Sequence, residues 1–250
     1  MTESDEKIIS EKNAPSPRMG IVIPLANEEE TVKAFLERVR DQISKNDRIF
    51  CIVDKASTDH TLDKVKQASQ ADDRIIPIWA PESRCVVDAY FRGYREALKA
   101  KCRWILEMDG GMSHKPEEIP RFIEAMDRGI DFAAGSRFVP GGSHIGQLSR
   151  KLVSKGGTIL ANWLLKTKMK DMTSGFECFT HKAMSFVVEN GVRSRAHFFQ
   201  TEIRYQLRDW NWLEVPITYT NPSKRMGKSS LLEAFRNLWQ LYREAKRKAG

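Results

Sequence analysis

The sequence predicts an α/β fold, a single domain with a mostly parallel central sheet flanked by helices. Three observations lead there. Short apolar runs alternate with amphipathic helical segments through the first half of the chain, as in a sheet whose strands are joined by helices. Two of those runs end on an acid, Asp54 and Asp109, and parallel sheets bind ligands beyond the carboxyl ends of their strands. The 250 residues, 41% hydrophobic and 30% charged, can bury one core, and they contain no internal repeat and no clear linker.

Residues 1–17 are polar, end in Ala14-Pro15-Ser16-Pro17, and read as a disordered leader without the apolar stretch of a signal peptide. Gly20-Ile21-Val22-Ile23-Pro24 follows as a buried strand. Asn27, with Glu30 three residues on, reads as the cap of a helix in which Val32, Phe35, Leu36, Val39 and Ile43 recur at helical spacing. A second strand, Ile49–Val53, ends at Asp54, and Ser57-Thr58-Asp59 supplies turn chemistry before the next helix. Ile75–Trp79 reads as a third strand, Asp88–Ala100 as a helix and Trp104–Met108 as a fourth strand ending at Asp109. Pro116 with Glu117 and Glu118 opens a helix, because proline suits its first position and acids its positive end. Then come a strand at Phe132–Ser136, a Gly-rich stretch at Phe138–Ser149 expected to be mobile, and a helix over Arg150–Leu165. A helix near Phe199–Arg208 and a strand at Leu213–Ile217 complete the predicted body.

Four scattered cysteines, Cys51, Cys85, Cys102 and Cys178, form no C-x-x-C pair, which argues against a zinc site or disulfide framework and suits a reducing cytoplasm. No window approaches the roughly 20 apolar residues that span a bilayer, so membrane contact is expected to be peripheral. The formal net charge is +8, and residues 224–250 hold eight basic residues against Glu233 and Glu244, a net of +6. In residues 229–250 the side chains Leu231, Leu232, Phe235, Leu238, Trp239 and Tyr242 recur at helical spacing beside those cations. Such a helix can lie in a membrane interface, or pack on the domain or a partner subunit. No G-x-G-x-x-G follows the first strand, and Gly227-Lys228-Ser229 lacks the P-loop's earlier glycine, Pro222 standing there. No nucleic-acid-reading module is present, so the basic charge is not assigned to nucleic acid.

Taken in order, the blocks resemble one family. Ile21-Val22-Ile23-Pro24-Leu25-Ala26-Asn27-Glu28-Glu29 looks like the opening strand of glycosyltransferase family 2, and Val53–Asp59 resembles its V-D-D-G-S-T-D segment. Met108-Asp109-Gly110-Gly111-Met112-Ser113-His114-Lys115-Pro116 resembles M-D-A-D-L-S-H-P-P. Gly135-Ser136-Arg137-Phe138, Asp171-x-Thr173-Ser174-Gly175-Phe176, Phe199-Gln200-x-Glu202 and Glu214-Val215-Pro216-Ile217 follow with the family's order and spacing. The match runs from about Gly20 to Leu231 and points to the dolichyl-phosphate mannose and polyprenyl-phosphate glucose synthase branch, hence to a GT-A domain, here residues 18–228.

The resemblance implies an inverting transfer from a nucleotide-diphospho-sugar, GDP-mannose or a UDP-sugar, to a polyprenyl phosphate. It implies that Asp54 meets the nucleobase, that Pro24, Leu25, Ala26 and Glu28 line the nucleotide pocket with Gly110, and that Lys224 or Arg225 covers the diphosphate. Asp109 is implied at the diphosphate through Mg²⁺ or Mn²⁺, with Glu107 or Ser113 as further candidate ligands. Arg137 and Arg150 are the candidates for the acceptor phosphate, and Ser154, one helical turn after Arg150, shares its face. A lipid phosphate is largely ionised near neutral pH, so no general base is required and catalysis rests on positioning and charge.

Five positions depart from the family. Gly111 stands for the second aspartate of D-x-D, Lys55 for the second of V-D-D, Ala26 for a tyrosine, Glu177 for the arginine of T-S-G-F-R, and Ser230 for a lysine. Aspartate at 111 is expected to restore metal affinity unless that residue needs a positive φ. Two alternatives stay open: transfer to a sugar hydroxyl in capsule, lipopolysaccharide or glycan synthesis, and nucleotide-sugar binding with little catalysis. Partners are thus a sugar nucleotide, a polyprenyl phosphate and a cytoplasmic membrane face, with homo-oligomerisation open.

Overall fold

Strands with apolar residues at every position must be covered on both faces, and the first strands of this chain are of that kind. In the computed structural model, which describes residues 17–220 and 228–249, β1 (Met19–Leu25) lies between β2 (Arg48–Val53) and β4 (Trp104–Glu107). β3 (Ile75–Trp79) is next to β2, and all four strands run parallel. The helices α1 (Val32–Arg40), α2 (Thr61–Ala71) and α3 (Val86–Lys99) are the crossovers. Alternation along β1 sends Ile21, Ile23 and Leu25 to one core, with Phe35 of α1 and Phe122 of α4 (Ile119–Asp127). Val22 goes to the other core, with Tyr90 of α3, Met184 of α6 (His181–Asn190) and Phe199 of α7 (Phe199–Gln206). α3 approaches so closely at Gly93 that a Cβ there would lie 2.3 Å from Val22 Cγ1.

The seven strands run in the order β3-β2-β1-β4-β7-β5-β8. β5 (Phe132–Ser136) and β8 (Trp212–Pro216) are parallel, and β7 (Glu177–Thr180) is inserted antiparallel between β4 and β5. The GT-A reading of the fold, a mostly parallel sheet with flanking helices, is therefore what the chain adopts. A second sheet pairs β6 (Ser143–Ile145) with β9 (Thr218–Thr220). Part of the Gly-rich 138–149 stretch, expected to be mobile, is thus held by backbone pairing.

Three local differences have physical causes. Asn27 does not cap α1: its φ is +57°, and its side chain accepts from the Thr58 N–H and donates to the Ala56 carbonyl, tying the loops after β1 and β2 together. The segment opened by Pro116 begins as a 3₁₀ turn before α4, and β4 stops at Glu107. β7 has no sequence signal of its own, since a four-residue strand beginning on a buried glutamate has no legible period, whereas α6 has one in its Thr180 cap and in Ala183, Met184 and Val187 at helical spacing.

Helices α5 (Leu148–Leu165) and α8 (Lys228–Ala249) pack together at the edge of the body. On α8, Leu238 joins the core, and Glu233 accepts from the Ser194 hydroxyl and the Arg195 N–H at 2.9 and 2.7 Å. The outward side differs. Leu232, Phe235 and Trp239 of α8 are exposed, as are Leu148, Leu152, Ile159 and Trp163 of α5. Trp163 is 75% accessible. Among the described residues no helix is long and apolar enough to cross a membrane.

Candidate active site

The loops at the carboxyl ends of β1 and β2 are knitted by hydrogen bonds. The Glu29 N–H donates to Asp59 and the His60 N–H to Glu29, at 3.0 and 2.9 Å. Desolvation alone would raise the Asp59 carboxyl, but bonds from Thr61, the Glu29 backbone and Ser57 outweigh it and hold it at about 2. Glu28 sits in this frame: its N–H donates to the Thr61 hydroxyl at 2.8 Å, and one carboxylate oxygen accepts from Thr31 Oγ1 at 2.5 Å.

Asp109 follows β4, in a turn that faces the same loops. Tyr90, buried on α3, donates its hydroxyl to Asp109 Oδ1 at 2.8 Å, and the Asp109 N–H donates to His114 Nδ1 at 3.1 Å. The His114 ring is buried and stacks on Phe176 with centroids 5.0 Å apart. Burial pushes its pKa down, so the imidazole is neutral and serves as an acceptor that fixes the Asp109 backbone. The next two residues leave no room for side chains. A Cβ on Gly110 would lie 2.6 Å from Leu25, and one on Gly111 would lie 2.3 Å from Glu28 Oε1. Gly111 also has φ +73°, the backbone condition under which aspartate is strained, and aspartate there would in addition require the Glu28 carboxylate to move.

Glu107 must be withdrawn as a metal ligand. Because β4 ends at Glu107, strand alternation does not extend to Asp109, and the two do not share an exposed face. Glu107 is fully buried, opposite Glu177 in the β4–β7 register, and accepts from the Tyr94 hydroxyl. Burial, then the charges of Glu177 and Asp109, push its pKa well up, so it is a neutral core acid.

On the other side, Arg137 follows β5. Its guanidinium pairs with buried Asp171 through Nε and Nη2 at 2.8 and 2.9 Å, donates to the Thr173 hydroxyl at 2.6 Å, and turns Nη1 toward Ser154 of α5 at 3.5 Å. Desolvation works against the Asp171 carboxylate, but Arg137 overrides it and holds the group at about 2. Beneath this pair lies Arg204 of α7, fully buried, which donates to Glu177 and to the carbonyls of Asp171, Gly135 and Ser174. One planar guanidinium thereby pins three of the segments that frame the site. Glu177, where the family carries arginine, is its buried counter-ion.

These groups line a cavity of about 1250 Å³. The structure brings Pro24, Ala26, Glu28, Asp109, Gly110, Ser113, Arg137, Arg150 and Ser154 together around it. It does not bring Leu25, which is buried behind the Gly110 turn, nor Asp54, which accepts from the Ala56 N–H at 2.8 Å outside the lining. Lys224 and Arg225 lie outside the described residues. Thr173 and Gln200, positions of the family-like blocks with no site role assigned above, also line the cavity, as do Tyr90 and Tyr219, which no block contains. The tyrosines were hidden because one reads as a core position of an amphipathic helix and the other lies in a three-residue strand. The far end opens between α5 and α8, at Leu160, Leu231 and Phe235.

A divalent cation fits this donor set. Mg²⁺ and Mn²⁺ take hard oxygens, commonly one or two carboxylates completed by substrate phosphates and water. Among the described residues no three His, Cys, Asp or Glu side chains cluster as a self-sufficient cage. Two carboxylates, Asp109 and Glu28, border the cavity beside Ser113, an arrangement that leaves the remaining positions to a substrate.

The glycosyl transferase family 2 profile matches residues 20–193. An undecaprenyl-phosphate mannosyltransferase of Micrococcus luteus is 29% identical over 217 residues, covering 86% of this chain and 87% of its own. A polyprenol monophosphomannose synthase of Mycolicibacterium smegmatis is 30% identical, covering 86% of this chain and 82% of its own. Among solved structures, glucosyl-3-phosphoglycerate synthase of Mycobacterium tuberculosis, in complex with Mn²⁺, UDP and glucosyl-3-phosphoglycerate, superposes with a TM-score of 0.63 at 13% identity, over 92% of this chain and 80% of that one. That likeness shows the fold alone; the profile and the sequence relatives, together with an acid-lined cavity at the strand ends, make this chain a member of glycosyl transferase family 2.

Proposed function

We propose that this chain transfers a sugar, with inversion, from a nucleotide-diphospho-sugar to a polyprenyl phosphate at a membrane surface. The observation that carries the reading is the continuity of the cavity, which runs from Glu28 and Asp109, past Arg137, Arg150 and Ser154, to an apolar mouth between α5 and α8. A sugar nucleotide suits the acidic end once its charge is countered, an anionic phosphate suits the arginines, and an isoprenoid tail suits the mouth. The relatives' names make GDP-mannose the first donor to test, with UDP-sugars next.

Asp109 would hold a divalent cation, with Ser113 beside it, and that ion would offset charge developing on the leaving nucleoside diphosphate. Tyr90 and His114 orient Asp109, and Asp171 and Thr173 orient Arg137, so both charges are placed before substrate arrives. Pro24, Ala26 and Gly110 border the nucleotide. Arg150 and Ser154 hold the acceptor phosphate one helical turn apart on α5. A phosphate nucleophile needs no general base, and among the described residues the only acids lining the cavity are Glu28 and Asp109, both on the donor side. This disfavours a sugar-hydroxyl acceptor, which needs a base over the anomeric carbon.

Residues 18–228 are the catalytic body in this reading, and the outward sides of α5 and α8 are its membrane face. Exposed Lys151 and Lys155 flank the apolar residues of α5, and exposed Arg236, Arg243, Lys246 and Arg247 flank those of α8. Cations at an anionic leaflet contribute about 1 kcal/mol each, and the apolar side chains add burial. The site would work on the cytoplasmic membrane face. The test is a screen of GDP- and UDP-sugars against a short polyprenyl phosphate with Mn²⁺, following the label into the lipid extract. Label that appears only as free sugar, or only on soluble glycans, contradicts the reading.

A further inference from the structure

Position 111 lacks the carboxylate that the resemblance places there, yet its space is not empty. We infer that Glu28, from the loop after β1, supplies the second carboxylate to the divalent cation held by Asp109, in place of a side chain at 111. The inference rests on the reading of this cavity as a sugar-nucleotide site.

A Cβ built on Gly111 would lie 2.3 Å from Glu28 Oε1, 2.9 Å from Cδ and 3.0 Å from Oε2. The Glu28 carboxylate therefore occupies the volume in which a side chain at 111 would begin. The donor chemistry, a hard anionic oxygen two residues from Asp109, is kept, although it comes from another strand's loop. The placement is held at three points. The Glu28 N–H donates to Thr61 Oγ1 at 2.8 Å, its carbonyl accepts from the Val32 N–H at 2.8 Å, and its Oε2 accepts from Thr31 Oγ1 at 2.5 Å. Oε1 is the oxygen turned to Gly111. Among the described residues Glu28 has no arginine or lysine partner, so a cation is the charge this carboxylate lacks. Both acids line the same cavity. One or two carboxylates plus phosphate oxygens is the usual way proteins hold Mg²⁺ beside a nucleotide. At its φ of +73°, Gly111 would aim a side chain at the Glu28 carboxylate, so the absence of a Cβ at 111 is what leaves Glu28 this position.

The experiment is Mn²⁺ binding to the full chain, by the electron paramagnetic resonance of free Mn²⁺, alone and with GDP or UDP, beside thermal unfolding. Glu28→Gln keeps the shape and the Thr31 bond. It should weaken Mn²⁺ binding by at least about tenfold, the loss that even an outer partner of a ligand produces, with an unchanged unfolding midpoint. Gly111→Asp alone should unfold at lower temperature and gain no affinity. The double substitution Glu28→Ala with Gly111→Asp should recover Mn²⁺ affinity relative to Glu28→Ala, because aspartate tolerates positive φ better than most residues once the space is vacated. Wild-type affinity in Glu28→Gln, or tighter binding in Gly111→Asp alone, overturns the inference while leaving sugar transfer intact. If the wild-type chain binds neither nucleotide with Mn²⁺, the sugar-nucleotide reading itself fails and takes this one with it.

Discussion

The two walls of the cavity are built on opposite principles. The wall at the ends of β1, β2 and β4 is polar and over-determined: Asp109 accepts from Tyr90 of α3, Glu28 from Thr31 in its own loop, and Asp59, behind them, from the Glu29 backbone. The wall made by α5 and α8 is largely apolar, offers Leu160, Leu231 and Phe235 to the cavity beside Arg150 and Ser154, and leaves a row of large side chains facing outward. The first suits a ligand whose charges must be met at fixed points. The second suits a chain that has no polar groups to be met and slides in from a membrane. Arg137 joins them, since Asp171 anchors it to the body while Nη1 reaches Ser154 on α5.

That junction is where a substitution should cost most. Arg137→Ala leaves the Asp171 carboxylate buried without its partner, and losing one member of a buried pair costs about 3–5 kcal/mol. Urea unfolding should show a loss of that order; a change below about 1 kcal/mol would mean that Asp171 is satisfied elsewhere. The same pair sets an acid limit. The Asp171 pKa is depressed in the folded state, so its stabilisation is complete above the ordinary carboxylate range and drains away as pH falls toward about 2. Acid unfolding of wild type should therefore steepen between about pH 4 and 2, and Asp171→Asn should flatten that slope.

On the polar wall the effect should fall on chemistry. Asp109→Asn is expected to lower transfer by about 10²–10³, the usual loss on removing one pre-placed electrostatic group, with folding unchanged. Activity near wild type in saturating Mn²⁺ would remove Asp109 from its role.

On the apolar wall the effect should be smaller and of another kind. Trp163→Ser and Leu232→Ser change exposed residues and should shift stability by no more than about 0.5 kcal/mol, while weakening co-sedimentation with anionic vesicles, more so at high salt. A marked loss of solubility or of monomer in the wild type, reversed by these substitutions, would instead make this face a subunit interface. Deleting residues 232–250 is a poorer probe, because Leu238 and Glu233 hold α8 to the body and their loss would disturb the core.

The walls also differed in how far the sequence could be read. Along the polar wall, strand and acid came in one local block each, so β1, β2 and β4 and the position of Asp109 could be read from adjacent residues. What escaped was partnership across the chain. Nothing near Gly111 signals that Glu28, 83 positions earlier, fills its space. Nothing near Glu177 signals that Arg204 neutralises it from another helix. At two of the departures from the family, the neighbouring group in space is thus a residue distant in sequence. The α5 stripe was legible in principle, from Leu148, Leu152, Ile159 and Trp163 at helical spacing, but in sequence an outward apolar stripe looks the same as an inward one.

The division between walls is tested most directly by Arg150→Ala, assayed for transfer to a short polyprenyl phosphate and, separately, for nucleotide binding. The account predicts that the KM for the lipid phosphate rises by about tenfold, as loss of one charge-assisted contact implies, while the nucleotide Kd stays within about twofold. An unchanged acceptor KM beside a weakened nucleotide Kd would contradict it, and would place Arg150 on the donor side.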